Sequence, residues 1–317
     1  MKDSEFVTAF APASIGNVGV GYDMLGLAVK GAGDRVSARR IDATGVIIKE
    51  VRGLDGEIHP VLSTDGTQNT ASLAVAALWR DAGASGGVEL IVHKGIPLQS
   101  GMGSSAASAV AGAVAVNALL EKPFAKEALL PYAMIGEKFA SGGLHADNVA
   151  PSLFGGLVLC PTMFLPSITR LPVPAGVCSV LLHPELEVNT AESRRGLASS
   201  YSMQQWLEQQ GYLAGFIAGC ASNDLDLIGR SLRDVVIEPQ RAASVPCFTA
   251  VKAAAMEADA YGCSLSGSGP SIFALCPDEA ATCIANAMEQ SCRTAGYECQ
   301  SWISPLDTPG ATVEDTA

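Results

Sequence analysis

The first half of the chain alternates short β-rich runs with longer helical ones. Residues 6–10, 35–39, 46–50 and 88–93 are short and β-rich, and read as strands. Residues 70–80 and 103–120 are rich in Ala with Leu or Val, and read as helices. Four prolines (Pro161, Pro166, Pro172 and Pro174) make residues 160–174 a linker or a crossing between domains. Beyond it, residues 177–183 predict a strand, and 204–221, 224–236 and 249–261 predict helices. Residues 263–276 read as a hairpin interrupted by Gly267, Ser268, Gly269 and Pro270; a helix over 279–292 and a last short strand follow. The polar tail, 306–317, is expected to fray. Strands and helices mixed without strict βα alternation predict an α+β fold in two domains, 1–165 and 166–317.

Composition narrows the function. Lys+Arg 20 against Asp+Glu 32 leaves a formal net charge of −12, which disfavours nucleic acid and anionic membrane surfaces as partners. Any anionic small molecule must therefore be met locally, by backbone amides or a few placed arginines. A chain that is 48% hydrophobic and only 16% charged predicts a large core rather than disorder. The nine cysteines form no C-x-x-C pair and mostly sit in apolar runs, as reduced core thiols of a cytoplasmic protein do. The charged start, from Met1 to Glu5, lacks the pattern of a signal peptide. Residues 104–120 are too short and too rich in Ala, Ser and Gly to span a membrane.

Candidate chemistry concentrates in three glycine-rich clusters. The central one runs Pro97, Leu98, Gln99, Ser100, Gly101, Met102, Gly103, Ser104, Ser105, Ala106, Ala107, follows a predicted strand and opens a predicted helix. Two glycines allow the backbone to curl closely, and a helix N-terminus presents unpaired amides and partial positive charge, which suit a phosphate. An ordinary helix start with a Ser cap is the plain alternative. The run lacks the lysine of a Walker A loop and is not the G-x-G-x-x-G of a dinucleotide fold. The other clusters span 11–29, with Asn17 and Asp23 beside its glycines, and 262–271, with Gly267 and Gly269.

Together, in this order, the three clusters resemble the signature motifs of the GHMP kinases, over residues 8–276. Met102 replaces the usual Leu, and Gly16 stands where Ala or Ser is more usual. The resemblance implies an N-terminal α/β domain carrying the ATP loop, a C-terminal ferredoxin-like domain and an active site between them. It implies that 97–107 bind ATP phosphates, with Gly267 and Gly269 closing nearby, and that Ser105 and Glu137 hold Mg²⁺. Segments 143–151, 190–194, 238–241 and 262–270 sharpen the likeness to the branch that phosphorylates the side-chain hydroxyl of L-homoserine, on the route to threonine.

Weighed singly, each polar residue keeps an alternative. Glu137 falls inside the apolar stripe of a helical run beside Leu130, Ala133 and Met134, so it should have a cation: it is a buried ion pair, a residue snorkelling from the helix end, or a ligand of a Mg²⁺ shared with Ser105. Asp147 and His145 are either loop residues or part of the acceptor site. In several members an Asp at the position of Asp147 is the catalytic base; here a base role stays open beside substrate binding. Asn17 and Asp23 are Asx-turn residues or contacts to the acceptor's hydroxyl and amino group. Arg194 and Arg241 are surface arginines, or a fork for its carboxylate if they converge. Asn69 caps a helix or lies near the adenine. His59, His93 and His183 show no ligand spacing. Another GHMP small-molecule kinase, or a catalytically silent relative, are the competing readings; Ser105, Glu137 and the loop glycines are all present. The oligomeric state stays open, a homodimer included.

Overall fold

The computed structural model describes residues 5–314, with the backbone alone at Ser141; the charged residues 1–4 and the tail end 315–317 lie outside. Strands β1 (Val7–Gly16), β2 (Leu25–Ile41), β3 (Gly45–Arg52) and β4 (Gly87–His93) build most of the first sheet. Helices α1 (Thr70–Asp81), α2 (Ser104–Asn117), α3 (Leu130–Ser141) and α4 (Val149–Phe154) pack against it and one another. Strands β5 (Leu157–Leu159) and β6 (Thr169–Arg170) complete this part of the chain. The sheet order is β3-β4-β2-β1 with β5 on the first residues of β2; only the β3–β4 pair is parallel.

The alanine-rich sequence of α2 explains its place. Its buried residues ring the helix, as expected of one hydrophobic on every side, and it lies against β1 and β2 under α1 and α3. Small side chains let backbones approach: a Cβ on Gly112 would sit 3.2 Å from the Ala71 carbonyl oxygen.

The second sheet takes the chain from β7 (Val177–Pro184) through α5 (Thr190–Arg195), α6 (Met203–Ser222), α7 (Leu225–Ser231), α8 (Glu238–Arg241) and α9 (Phe248–Glu257). Strands β8 (Gly262–Leu265) and β9 (Ile272–Pro277), helix α10 (Ala281–Thr294) and strand β10 (Cys299–Pro305) finish it. Its antiparallel order, β10-β7-β9-β8, with α9 and α10 as the crossovers, is the split βαβ arrangement of ferredoxin-like domains. Every residue of β7 is buried, which accounts for a sequence apolar on both faces apart from Ser179 and His183. Cys178, Val180 and Leu182 meet α9 and α10, whereas Val177 and Leu181 join Leu27, Leu157, Phe216 and Ile228. One core therefore runs through both sheets. Seven of the nine cysteines are buried free thiols.

The structure corrects four expectations. Residues 11–16 and 25–29 are strand rather than loop, leaving 17–24 as the first glycine turn. The proline-rich 160–174 is not a bare linker, because β6 pairs with β5 as a hairpin of the first sheet. The helix expected over 224–236 ends at Ser231; the Asp234 carboxylate accepts from the amides of Val236, Ile237 and Glu238 instead. The tail does not fray up to residue 314. Strand β11 (Thr312–Val313) covers the free edge of β1, and Glu314 pairs with Arg35.

Candidate active site

Between the sheets lies a cleft of about 450 Å³, and the three glycine clusters meet at it. Lys94 leaves β4 and leads into the central loop, which curls through Gly101 (φ +73°) into Gly103 (φ +69°), the residue before α2. Glycine is required at Gly101 for its left-handed backbone and for space: a Cβ there would stand 2.5 Å from the Ser266 carbonyl oxygen and 2.6 Å from that of Gly269. The clusters are tied backbone to backbone. Ser14 donates to the Met102 carbonyl (3.0 Å), Ser271 to that of Ser100 (3.1 Å) and Gly267 to that of Gly16 (3.1 Å). No side chain caps α2 and no acidic residue occupies its first turn, so its leading amides are available to an anion.

A buried ion pair, Lys94 with Asp34, lies under that turn. Lys94 Nζ also donates to the Ser104 carbonyl (3.0 Å) and Ser108 Oγ (2.7 Å), fixing the helix start to β2 and β4. On the open side, Ser105 Oγ donates to Glu137 Oε2 at 2.6 Å. Glu137 is 8% exposed, as its place in the apolar stripe of α3 predicted. Hydroxyl and carboxylate oxygens side by side at a helix mouth suit Mg²⁺, which takes one or two carboxylates and completes its shell with phosphate and water. Among the described residues no three His, Cys, Asp or Glu side chains gather into an all-protein metal cage.

At the other end of the cleft two acids stand together, Asp23 on the left-handed turn that begins at Asn17 and Asp147 on the loop before α4. Arg194 grips Asp23 with both Nη atoms (2.8 and 2.7 Å), and His145 Nδ1 stands 3.2 Å from Asp23 Oδ2. Burial pushes the His145 imidazole down from its ordinary value, against the pull of Asp23. Asp147 is buried, and its Oδ2 accepts from the Asn17 amide at 3.2 Å. Burial pushes its carboxyl up to about 7; the charge of Asp23 adds to the rise, and the Asn17 amide and Arg194 oppose it. Arg241 donates to the Gly267 carbonyl at 2.8 Å, and Asn17 Nδ2 reaches the same oxygen at 3.1 Å.

Residues 69–156 match the family model of the GHMP kinases N terminal domain, and residues 216–294 that of the GHMP kinases C terminal. The chain is similar to the homoserine kinase of Xylella fastidiosa (strain 9a5c), 45% identical over 304 residues, 96% of this chain and 92% of that one. The chain belongs to the GHMP kinase family. A homoserine kinase from Chlorobium phaeobacteroides (strain BS1) is 40% identical across 97% of this chain and 99% of its own. The crystal structure of homoserine kinase from Cytophaga hutchinsonii superposes with a TM-score of 0.93 at 42% identity, over 99% of this chain and 98% of that one. The two-sheet architecture is thus the two-domain GHMP kinase fold, and membership of a kinase family implies ATP as co-substrate.

Most of the residues singled out from the sequence line this kinase's cleft: Asn17, Asp23, Asn69, Leu98 through Gly101, Gly103 through Ser105, Glu137, His145, Asp147, Arg194, Arg241 and Gly267. Pro97, Met102, Ala106, Ala107 and Gly269 do not; Met102, Ala106 and Ala107 are fully buried in the core, because a loop that turns its backbone to the cleft turns side chains away. Asn69 is both things expected of it, a cap accepting from the Ala71 amide (3.0 Å) and a cleft residue. Sequence reasoning passed over Lys94, Asn148, Thr190 and Ser268, which also line the cleft. Asn148 beside Asp147, and a lysine closing an apolar strand, were the signals available.

Proposed function

We propose that this kinase transfers the γ-phosphoryl group of ATP to the side-chain hydroxyl of L-homoserine, giving O-phospho-L-homoserine and ADP. What carries the reading is the placement in one cleft of an uncapped helix mouth and, opposite it, an acid–guanidinium pair of the same charge complement as a zwitterion. Residues 1–165 would supply the nucleotide loop, and 166–317 the two arginines and the closing glycine turn. The amides of Gly103, Ser104 and Ser105 would hold the triphosphate. Mg²⁺ bound by Ser105 and Glu137 would neutralise phosphate charge. Asn69 would lie by the adenine.

The acceptor's ammonium would take Asp23, and its carboxylate would take the arginines, so that a zwitterion replaces the internal ion pair member for member. A hydroxy acid or an amino alcohol would leave one partner uncompensated in a partly buried site. Asn17 and His145 would orient the acceptor, and its hydroxyl oxygen would attack the γ-phosphorus as the bond to the β-phosphate oxygen breaks. Asp147 would bind the acceptor and accept the hydroxyl proton. Every residue named lies in one chain, so a homodimer is compatible but not required. No helix of the described residues is long and apolar enough to cross a membrane; a cytoplasmic location is part of this reading.

ATP consumption measured with L-homoserine, mevalonate and galactose tests it: turnover is expected with homoserine alone. Turnover with either of the others while homoserine is inert would refute it. A second expectation concerns pH. Because Asp147 must be ionised to take a proton, and its carboxyl is held near 7, kcat should fall as pH drops below about 7. The same rise makes the folded protein hold a proton that the unfolded chain has lost between pH 4 and 7, so Asp147 withdraws stability as pH rises across that window. Asp147→Asn should therefore lower kcat, remove the acid limb and raise the melting temperature at pH 8. A flat melting temperature with an intact acid limb would assign the proton elsewhere.

A further inference from the structure

We propose that Tyr22 is the positioning residue of the acceptor's carboxylate site: its ring is the shelf on which both arginines are held together. This rests on the acceptor reading given above. Arg194 and Arg241 come from two short helices, α5 and α8, neither long enough to fix a long side chain by its own packing. Yet the Arg194 guanidinium carbon lies over the Tyr22 ring at 5.4 Å from its centroid, and that of Arg241 at 5.1 Å.

Arg241 makes the need for a shelf plain. It is only 4% exposed, and no carboxylate among the described residues lies within ion-pair distance of it. One Nη1 bond to a carbonyl serves it, and its buried Nε has no partner. Burial pushes its guanidinium down from the usual value, and the like charge of Arg194 pushes the same way. A buried cation so placed needs negative potential that does not consume its hydrogen-bonding fork, and an aromatic face supplies that. A carboxylate in that position would pair with Arg241 and close the fork to an incoming acid. Tyr22 does not itself line the cleft, so it acts through the arginines. No hydrogen bond of its hydroxyl forms among the described residues, so the ring alone is asked to act.

Tyr22→Leu should raise the KM for L-homoserine about 10-fold, with kcat and the KM for ATP within about twofold; Tyr22→Phe should restore it to within about threefold. Tyr22→Met is measured alongside, should Leu fail to fold. The inhibition constant of 3-aminopropan-1-ol, which has the ammonium and hydroxyl but no carboxylate, should be the same in all three variants and the parent. Equal weakening of both ligands would mark a structural role and overturn the proposal, as would an unchanged homoserine KM in Tyr22→Leu and Tyr22→Met. If that KM is unchanged there but rises in Arg241→Ala, the proposal falls while the acceptor reading stands; if Arg241→Ala also leaves it unchanged, both fall.

Discussion

Glu137→Gln should cut kcat about 10²-fold, equivalent to about 2.7 kcal/mol of barrier, while leaving the acceptor KM and the fold intact. The amide keeps the shape of the carboxylate and can still accept the Ser105 hydroxyl, which now donates at 2.6 Å. Only the negative charge is lost. Phosphoryl transfer depends on charge neutralisation more than on covalent help from the protein, so that one charge is expected to matter far more than its hydrogen bond. Ser105→Ala, which removes an oxygen but no charge, should cost less, about 10-fold. Stability should hold or rise slightly, since a buried amide is less penalised than a buried carboxylate. Steady-state rates across a Mg²⁺ series, with calorimetry of ATP binding with and without Mg²⁺, read the effect. Unchanged rates at saturating Mg²⁺ would remove Glu137 from the metal's company.

Long helices and most β-rich runs, β3, β4 and β7 among them, were legible in the sequence; the shortest helices were not. Helices α1, α2 and α10, and the hairpin of β8 and β9, fell near their expected bounds, because each carries a run of strong helix formers or a glycine turn. Helices α5 and α8 are too short to show a period, yet they carry Arg194 and Arg241. Strand β2 escaped over its first half because Lys30 and Gly31 interrupt its apolar run where it passes the second sheet, the Lys30 backbone amide donating to Ser304 Oγ at 2.8 Å. Strand β11 could not be read at all, since its only reason to be a strand is the free edge of β1, some three hundred residues earlier in sequence.

The site followed the same division. The sequence singled out the central glycine loop and Glu137, each unusual where it stands, and both arginines through segments that carry the family resemblance. Burial of Glu137 could be foreseen from its helical face; burial of Met102, counted with the ATP loop and flanked by glycines and serines, could not. Pairings across the fold could not. Asp23 and Arg194 stand 171 residues apart, and Lys94 and Asp34 stand 60 apart. Nothing in the spacing shows that one arginine is held by an acid and the other by an aromatic ring.

Arg194→Ala should raise the KM for L-homoserine about 10²-fold and the KM for ATP no more than about threefold, near the low end for truncating one member of a partly buried charge pair. Two losses combine in the first figure. The incoming carboxylate loses one fork, and Asp23 is left facing Asp147 with its guanidinium partner gone. The second loss has its own signature. Arg194 pulls the Asp147 carboxyl downward in the parent, so removing it should move the acid limb of the pH profile to higher pH. Arg194→Lys separates the two effects, because lysine keeps the charge beside Asp23 but cannot make two parallel bonds. It should leave the acid limb nearly in place and still raise the acceptor KM. A substitution that shifted both substrates' KM alike, with the pH profile unmoved, would mean that Arg194 only staples α5 to the first glycine turn.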